Sequence, residues 1–321
     1  MHCFLNALIS IILSLTASAG WAQAYPSRSI KIVVPFGVGG PADVYARFVG
    51  AKITDSLGQP VVVENRPGAG AIVGSEAVAK SPPDGYTLLM MSNTHTVNET
   101  LIPKKPYALL RDLAPITSVY DSDLLMVVHP SVPANNLKEF VALAKAKPKD
   151  LNYASSGPGT PYHMAGELFK HLAGVDLVHV PYKGSDGART GILGGQVQMM
   201  IDATTSMAPN VRAGKLKAMG TSGKTRSTVL PDVPTIAEAG VPGYETGIWL
   251  GLMAPAGTPR PVLERLNAEV NKVLSTPEVK ETWAKQGAQP MGMSIDEFER
   301  FLKADIAKWA TVVKATGMKV E

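Results

Sequence analysis

The chain of 321 residues holds one cysteine, Cys3, and none beyond it. A lone cysteine excludes an internal disulfide, and its removal with an N-terminal export signal would exclude thiol chemistry as well. Aromatic residues make up only 6%, and Lys and Arg never gather into a block interleaved with them. The footprint of a nucleic-acid binder is therefore missing despite a net charge of +4. His163, His171 and His179 lack the three- or four-residue step of a helical metal pair. No G-x-S-x-G elbow occurs, and serines near His163 make no triad without a placed acid. No catalytic residue, metal or cofactor is expected.

The first 24 residues also lack any Lys, Arg, Asp or Glu. Phe4 to Leu15 is an almost unbroken apolar run, short of the roughly 20 residues that span a bilayer. Small residues follow, and Ala22-Gln23-Ala24 fits a signal-cleavage site. Residues 1–24 are expected to be an export signal, with cleavage after Ala24. An uncleaved anchor or a buried helix is the alternative for this run. No later stretch is long and apolar enough to cross a membrane.

Glycine and proline are abundant, 30 and 25 residues, as in a loop-rich α/β protein. Two segments share one construction. Ile30–Phe36 runs into Gly37-Val38-Gly39-Gly40-Pro41-Ala42-Asp43, and Leu151–Ser155 runs into Ser156-Gly157-Pro158-Gly159-Thr160-Pro161-Tyr162-His163. Each reads as a buried strand, a glycine-rich turn and a helix with proline at its first position. Such turns leave backbone N–H groups pointing out of a helix N-terminus, where the dipole favours an anion. Facing each other across a cleft, the two turns suit capture of a small carboxylate.

Elsewhere strand-like and helix-like segments alternate, which predicts parallel sheets with crossover helices. Helices are expected from Pro41 to about Leu57, with Val44, Phe48 and Val49 on one side, and up to about Lys80 after the Asn65–Gly70 turn. Strands are expected at Pro60–Glu64, Tyr86–Met91, Leu124–Val128, Leu177–Val180, Val197–Ile201, Leu216–Thr221 and Trp249–Ala254. From Thr258-Pro259 onward the pattern is helical, without a strand of its own, and Ser294 with Glu297 caps the last helix. This segment is expected to pack back on the first of two similarly built domains, so that the chain crosses between them twice.

Several segments together resemble the Bug-type solute receptors of tripartite tricarboxylate transporters. They include Ser29–Phe36 with Gly39-Gly40 and Asp43, Pro60–Gly70, Pro83–Leu89, Leu151–Ser155, Ala165–Phe169, His179–Gly184, Gly194–Val197, Leu230–Thr235 and Ala254–Pro259. The resemblance covers nearly the whole chain after the signal. It implies a periplasmic binding protein of the flytrap type, with two doubly wound α/β domains joined by a double-crossover hinge. Domain I is expected at 25–123 and 249–321, and domain II at 124–248. The resemblance further implies a periplasmic, non-enzymatic monomer that closes on a small organic acid and meets the transporter's membrane subunits.

Carried onto this chain, the ligand residues expected in domain I are Gly39, Gly40, Asp43, Ser92, Asn93 and Thr94. Those in domain II are Ser155, Ser156, Gly159, Thr160 and His163, with Tyr182-Lys183-Gly184-Ser185 and Asp202-Ala203-Thr204 at the same mouth. Tyr162 either meets the ligand or covers the domain surface. Lys183 either attracts it at long range or is simply solvated. Asp43 is either a helix-start group or a ligand contact, His163 either donates to the ligand as a neutral ring or bonds a neighbouring loop, and Asp186 pairs with a ligand amine or with Arg189. Pro158, Pro161-Tyr162, Asp186-Gly187, Arg189 and the alanine after Asp202 depart from the family's usual residues, so they bear on which acid is bound. Competing readings are a sensor for a membrane kinase, an exported hydrolase and a dinucleotide oxidoreductase. The last rests on Gly37-x-Gly39-x-x-Ala42, but Glu64 follows later than the roughly 20 residues that fingerprint wants.

Overall fold

The computed structural model describes residues 25–317; the expected export signal lies outside the described residues. Five segments build the first half: β1 (Ile30–Val34), α1 (Pro41–Leu57), β2 (Val61–Asn65), α2 (Ile72–Ala79) and β3 (Thr87–Ser92). β1 pairs in parallel with both β2 and β3. Its isoleucines and valines are buried on both faces, as a central parallel strand requires. α1 starts at Pro41 and ends at Gly58, which adopts a left-handed φ of 68°. Its inward face is Tyr45, Val49, Ile53 and Leu57, one i, i+4 row. Val44, expected on that face, is half exposed: it lies one residue, and so about 100°, away from the row.

α3 (Asn93–Leu101) follows β3 directly, and α4 (Leu109–Asp112) leads into β4 (Leu113–Val128). β4 is the long strand of the fold, 16 residues, of which only Leu124–Val128 reads as a strand in the sequence. The first part is hidden by Pro115 and by irregularities in register between Pro115 and Thr117 and between Ser118 and Tyr120. Bulges of this kind break the two-residue period.

The second half holds α5 (Leu137–Ala146), β5 (Asn152–Ser155), α6 (Pro161–Ala173), β6 (Val178–Pro181), α7 (Ser185–Leu193), β7 (Met199–Ala203), α8 (Thr204–Arg212) and β8 (Lys217–Thr221). β5 pairs in parallel with β6 and β7. The chain returns along β9 (Gly247–Pro255) to α9 (Arg260–Leu274), α10 (Pro277–Ala284), β10 (Ala288–Pro290) and α11 (Ile295–Thr316). The strand order is β2-β1-β3-β9-β4-β7-β5-β6, with β8 and β10 also on β4.

β4 therefore serves both halves. Its residues 113–123 pair with β9, whereas 124–128 pair with β7 and β8. The C-terminal segment does pack on the first half. Trp283 of α10 sits against Tyr45, Phe48 and Tyr120, aromatic pairs that each contribute about 0.5–1.5 kcal/mol beyond area burial. One expectation is corrected there: the segment does carry a strand, β10, held antiparallel to β4 at Tyr120–Ser122. Three residues with proline at the end are too few to show a period.

Candidate functional site

A cavity of about 660 Å³ lies between the two halves, well inside the size range of small-molecule sites. The first half contributes Pro35–Gly37, Gly40–Ala42, Pro67–Ile72, Ser92 and Ile102; the second contributes Ser156–Pro158, Thr160–Tyr162 and Tyr182–Ser185; and Ile248 lies on β9 where the chain crosses between them. Five of these residues share one property. Gly40, Ala71, Ser92, Thr160 and Gly184 are the N-caps of α1, α2, α3, α6 and α7. Only Ser92 caps its own helix with a side chain; the other four helices carry no side-chain cap. The amides of Ala42 and Tyr162, just past the prolines of α1 and α6, find no acceptor among the described residues. Helix dipoles and unsatisfied amides thus converge on one space.

Glycine lets the halves approach closely on two sides of that space. A Cβ on Gly37 would lie 3.4 Å from the Lys183 carbonyl and 3.5 Å from Gly184 Cα. On the other side, a Cβ on Gly70, whose φ is +60°, would lie 3.2 Å from the Pro158 carbonyl. Backbone thus meets backbone at both seams.

Of the residues expected to meet a ligand, Gly40, Ser92, Ser156, Thr160, Tyr162 and Lys183 line the cavity. Tyr182, Gly184 and Ser185, expected at the mouth, line it too, whereas Gly39, Asp43, Asn93, Thr94, Ser155, Gly159, His163 and Asp202 do not. Gly39 donates to Asp43 Oδ2 at 3.0 Å, and Arg47 Nε donates to Asp43 Oδ1 at 2.9 Å. Burial raises the Asp43 pKa, but the Gly39 amide and Arg47 more than offset it and hold the carboxylate below its ordinary range. Asn93 donates to the Gly247 carbonyl at 3.0 Å, and the Thr94 amide is taken by Ser92 Oγ at 3.2 Å.

The loop after β5 is tied down in the same way. Ser155 Oγ accepts from Gly157 N at 3.1 Å and lies 2.7 Å from His179 Nε2. Thr160 Oγ1 donates to the Gly157 carbonyl at 2.7 Å, and Gly159 N donates to His163 Nδ1 at 3.1 Å. Nδ1 of His163 must be unprotonated to accept. Burial pushes that ring's pKa down to about 4, so the neutral form prevails. Asp202 is fully buried and receives Arg189 Nε at 2.7 Å and the Ala203 amide at 2.7 Å. Asp186 also pairs with Arg189, at 3.6 Å.

The segment Pro67–Ile72 forms a wall of the cavity that the expected ligand residues do not include. Its signal was present, since Asn65–Gly70 is a third strand, glycine turn and helix start. Ile102 and Ile248 had none: each is an ordinary apolar residue brought in by the tertiary fold. Lys183 is the one charged residue among those lining the cavity, and it is exposed. The rest of the wall is backbone, small hydroxyls and apolar groups, including Phe36, Ile72, Ile102, Ile248, Tyr162 and Tyr182.

A mixed α/β sheet whose strands β4 and β9 run between two halves, with a ligand-sized cavity where they meet, is the architecture of a periplasmic binding protein. The solved structure of the periplasmic binding protein BugD superposes with a TM-score of 0.87 at 34% identity, over 92% of this chain and 100% of that one. The R. palustris protein Rpa4515, solved with adipate, gives a TM-score of 0.89 at 33% identity over 92% and 99%. BugT of Bordetella pertussis is 38% identical across 99% of both chains. The family described as "Tripartite tricarboxylate transporter family receptor" matches residues 45–318, and the chain belongs to that family. Its members are solute-binding receptors.

Proposed function

We propose that the protein is an exported periplasmic receptor that captures a carboxylate with an apolar body in this cavity and delivers it to the membrane subunits of a tripartite tricarboxylate transporter. The observation that carries the reading is the convergence of five helix N-caps, four without a side-chain cap, on one space. An anion there is stabilised by dipoles and amides, without a buried cation that would itself need desolvating. Charge-assisted hydrogen bonds of this kind contribute about 1.5–3 kcal/mol each. The apolar walls select for the remainder of the ligand: a molecule with carboxylates all round would set charge against Phe36, Ile72 and Ile248 without compensation. The adipate in Rpa4515, two carboxylates on a hydrocarbon spacer, is chemistry of this sort.

In this reading residues 25–123 with 249–321 form one lobe and 124–248 the other, joined by the crossings at 123/124 and 248/249. Gly40, Ser92, Ser156, Thr160, Tyr162 and Lys183 meet the ligand. Gly39, Asp43, Asn93, Thr94, Ser155, Gly159, His163 and Asp202 hold those residues in place. Residues 1–24 direct export and are removed after Ala24. The test is thermal denaturation of the purified protein with adipate, benzoate, hexanoate, citrate and the uncharged adipamide. A ligand at a hundred times its Kd stabilises by about 2.7 kcal/mol, so one or more of the three acids with apolar bodies should raise the melting temperature and adipamide should not. Stabilisation by citrate alone, or by none of the acids, counts against the reading.

A further inference from the structure

Arg189 lies on α7, in the second half, yet one arm of its guanidinium leaves that half. Nη1 donates to the Gly39 carbonyl at 3.1 Å, while Nε and Nη2 donate to the two oxygens of Asp202 at 2.7 and 3.4 Å. The side chain is 14% exposed and Asp202 is not exposed at all, so the pair is screened from water and each bond is charge-assisted. Gly39 has a φ of +76°, and a Cβ there would collide with the Asp186 carboxylate, the other acid beside Arg189. The turn before α1 is thus fitted against α7 at a place where only glycine sits without strain.

The hydrogen bond also has a consequence for the cavity. A trans peptide is planar, with its C=O and N–H pointing in opposite directions. The carbonyl that Arg189 holds belongs to the Gly39–Gly40 peptide. The N–H on the far side is that of Gly40, the N-cap of α1, which lines the cavity and has no acceptor among the described residues. Fixing the carbonyl fixes that donor, and a cation on the carbonyl polarises the peptide in the sense that strengthens the donor.

We propose that Arg189 is a positioning residue that latches the two halves together, even with the cavity empty, and orients the Gly40 amide toward its ligand. The closure part stands on the geometry alone; the orienting part rests on the carboxylate reading above. The guanidinium fork is required because it serves Asp202 and Gly39 at once, which a single ammonium cannot do in the same geometry. A charge-assisted hydrogen bond to one carbonyl shifts a two-state equilibrium by roughly 10- to 150-fold.

The test compares wild type, Arg189→Lys and the double variant Arg189→Gln with Asp202→Asn. The double variant removes the charge without stranding Asp202. Small-angle X-ray scattering of the ligand-free proteins reads closure directly, and melting temperature reads folding. Both variants are expected to have a larger radius of gyration than wild type while remaining folded. Adipate, or whichever acid in the panel binds wild type, should then dissociate at least tenfold faster from both. Scattering curves that superpose on wild type overturn the latch, and a lowered melting temperature with unchanged scattering assigns Arg189 to packing within its own half. Should no acid bind wild type, the carboxylate reading fails while the scattering result still decides closure.

Discussion

His163 and His179 stack with ring centroids 4.1 Å apart and planes inclined by 22°, and each ring holds part of the loop that walls the cavity. His163 takes the Gly159 amide, and His179 meets the Ser155 hydroxyl. Tyr153 continues the stack beyond His179, at 4.9 Å. Two imidazoles in this arrangement serve the site as neutral rings, which makes the receptor sensitive to acid.

The sign follows from where the protons go. Burial pushes His163 down to about 4 and His179 to about 3, with the neighbouring His163 adding to the latter. Burial likewise takes His95, held between Ser75 and Ser92, to about 4. An unfolded imidazole titrates near 6.5. Below that pH the unfolded chain accepts protons that the folded chain refuses, so stability falls as pH falls and is unaffected above it. A fully refused proton costs about 1.4 kcal/mol per pH unit. Melting temperature is expected to drop between pH 6.5 and about 4, and His163→Gln, in which a side-chain carbonyl can accept the Gly159 amide, should flatten the drop. A wild-type profile level across that range would mean that the loop accommodates charged rings.

Two aspartates act in the opposite sense. Asp121 and Asp123 are two residues apart on β4, hence on one face of the strand, where it passes from β9 to β7. Burial raises Asp121 up to about 6, with the charge of Asp123 adding to it, and burial with Glu245 raises Asp123. Their folded pKa values exceed the unfolded ones. They therefore lower stability as pH climbs from about 4 through about 6, and the penalty is constant above that. Asp121→Asn is expected to raise the melting temperature at pH 7.5 by roughly 2–4 °C and to give no gain at pH 4. Equal gains at both pH values would point to packing in place of charge.

The sequence showed the glycine turns of the site better than its walls. The strand, turn and proline signals of α1 and α6 are local, so Gly40 and Thr160 could be read directly. The division between residues that line the cavity and residues behind them was not legible. His163 and Asp202 are polar and adjacent to the site in sequence, but what turns each away is a partner distant in the chain, His179 or Arg189. The first part of β4 was illegible for a different reason, because its bulges disrupt the alternation by which a strand is recognised.

The seam at Gly70 gives a prediction with an internal control. Gly70 and Gly58 both have positive φ, +60° and +68°, but nothing lies within 4 Å of a Cβ on Gly58, whereas one on Gly70 would lie 3.2 Å from the Pro158 carbonyl. Gly58→Ala should cost about 1–2 kcal/mol of stability from backbone strain alone. Gly70→Ala should cost a similar amount and also enlarge the radius of gyration, since the added methyl pushes on the other half. If the two variants scatter alike, the Gly70 contact does not limit closure.

Tyr162 is the residue whose expected behaviour the structure changes most. Were Tyr162 chiefly a ligand contact, one of the two roles expected of it, Tyr162→Ser would alter ligand preference more than stability. The ring is in fact 2% exposed and belongs to the main core cluster, with only part of it bordering the cavity. Truncation to serine removes a buried aromatic and should cost about 3–5 kcal/mol, which would obscure any change in binding. Tyr162→Phe is the informative variant. The hydroxyl is sealed from solvent and makes no hydrogen bond of ordinary geometry among the described residues, and burial together with the Asp202 carboxylate close beside it keeps it protonated. Its removal should change stability by less than about 1 kcal/mol. A hydroxyl with no accessible surface faces the Asp202 side and not the cavity, so it has nothing to donate to a ligand. Tyr162→Phe is therefore expected to leave the binding of adipate and of hexanoate equally unchanged. Calorimetric titration of both acids into both proteins reads this, and a selective loss for adipate would mean that the hydroxyl turns into the cavity when the acid is bound.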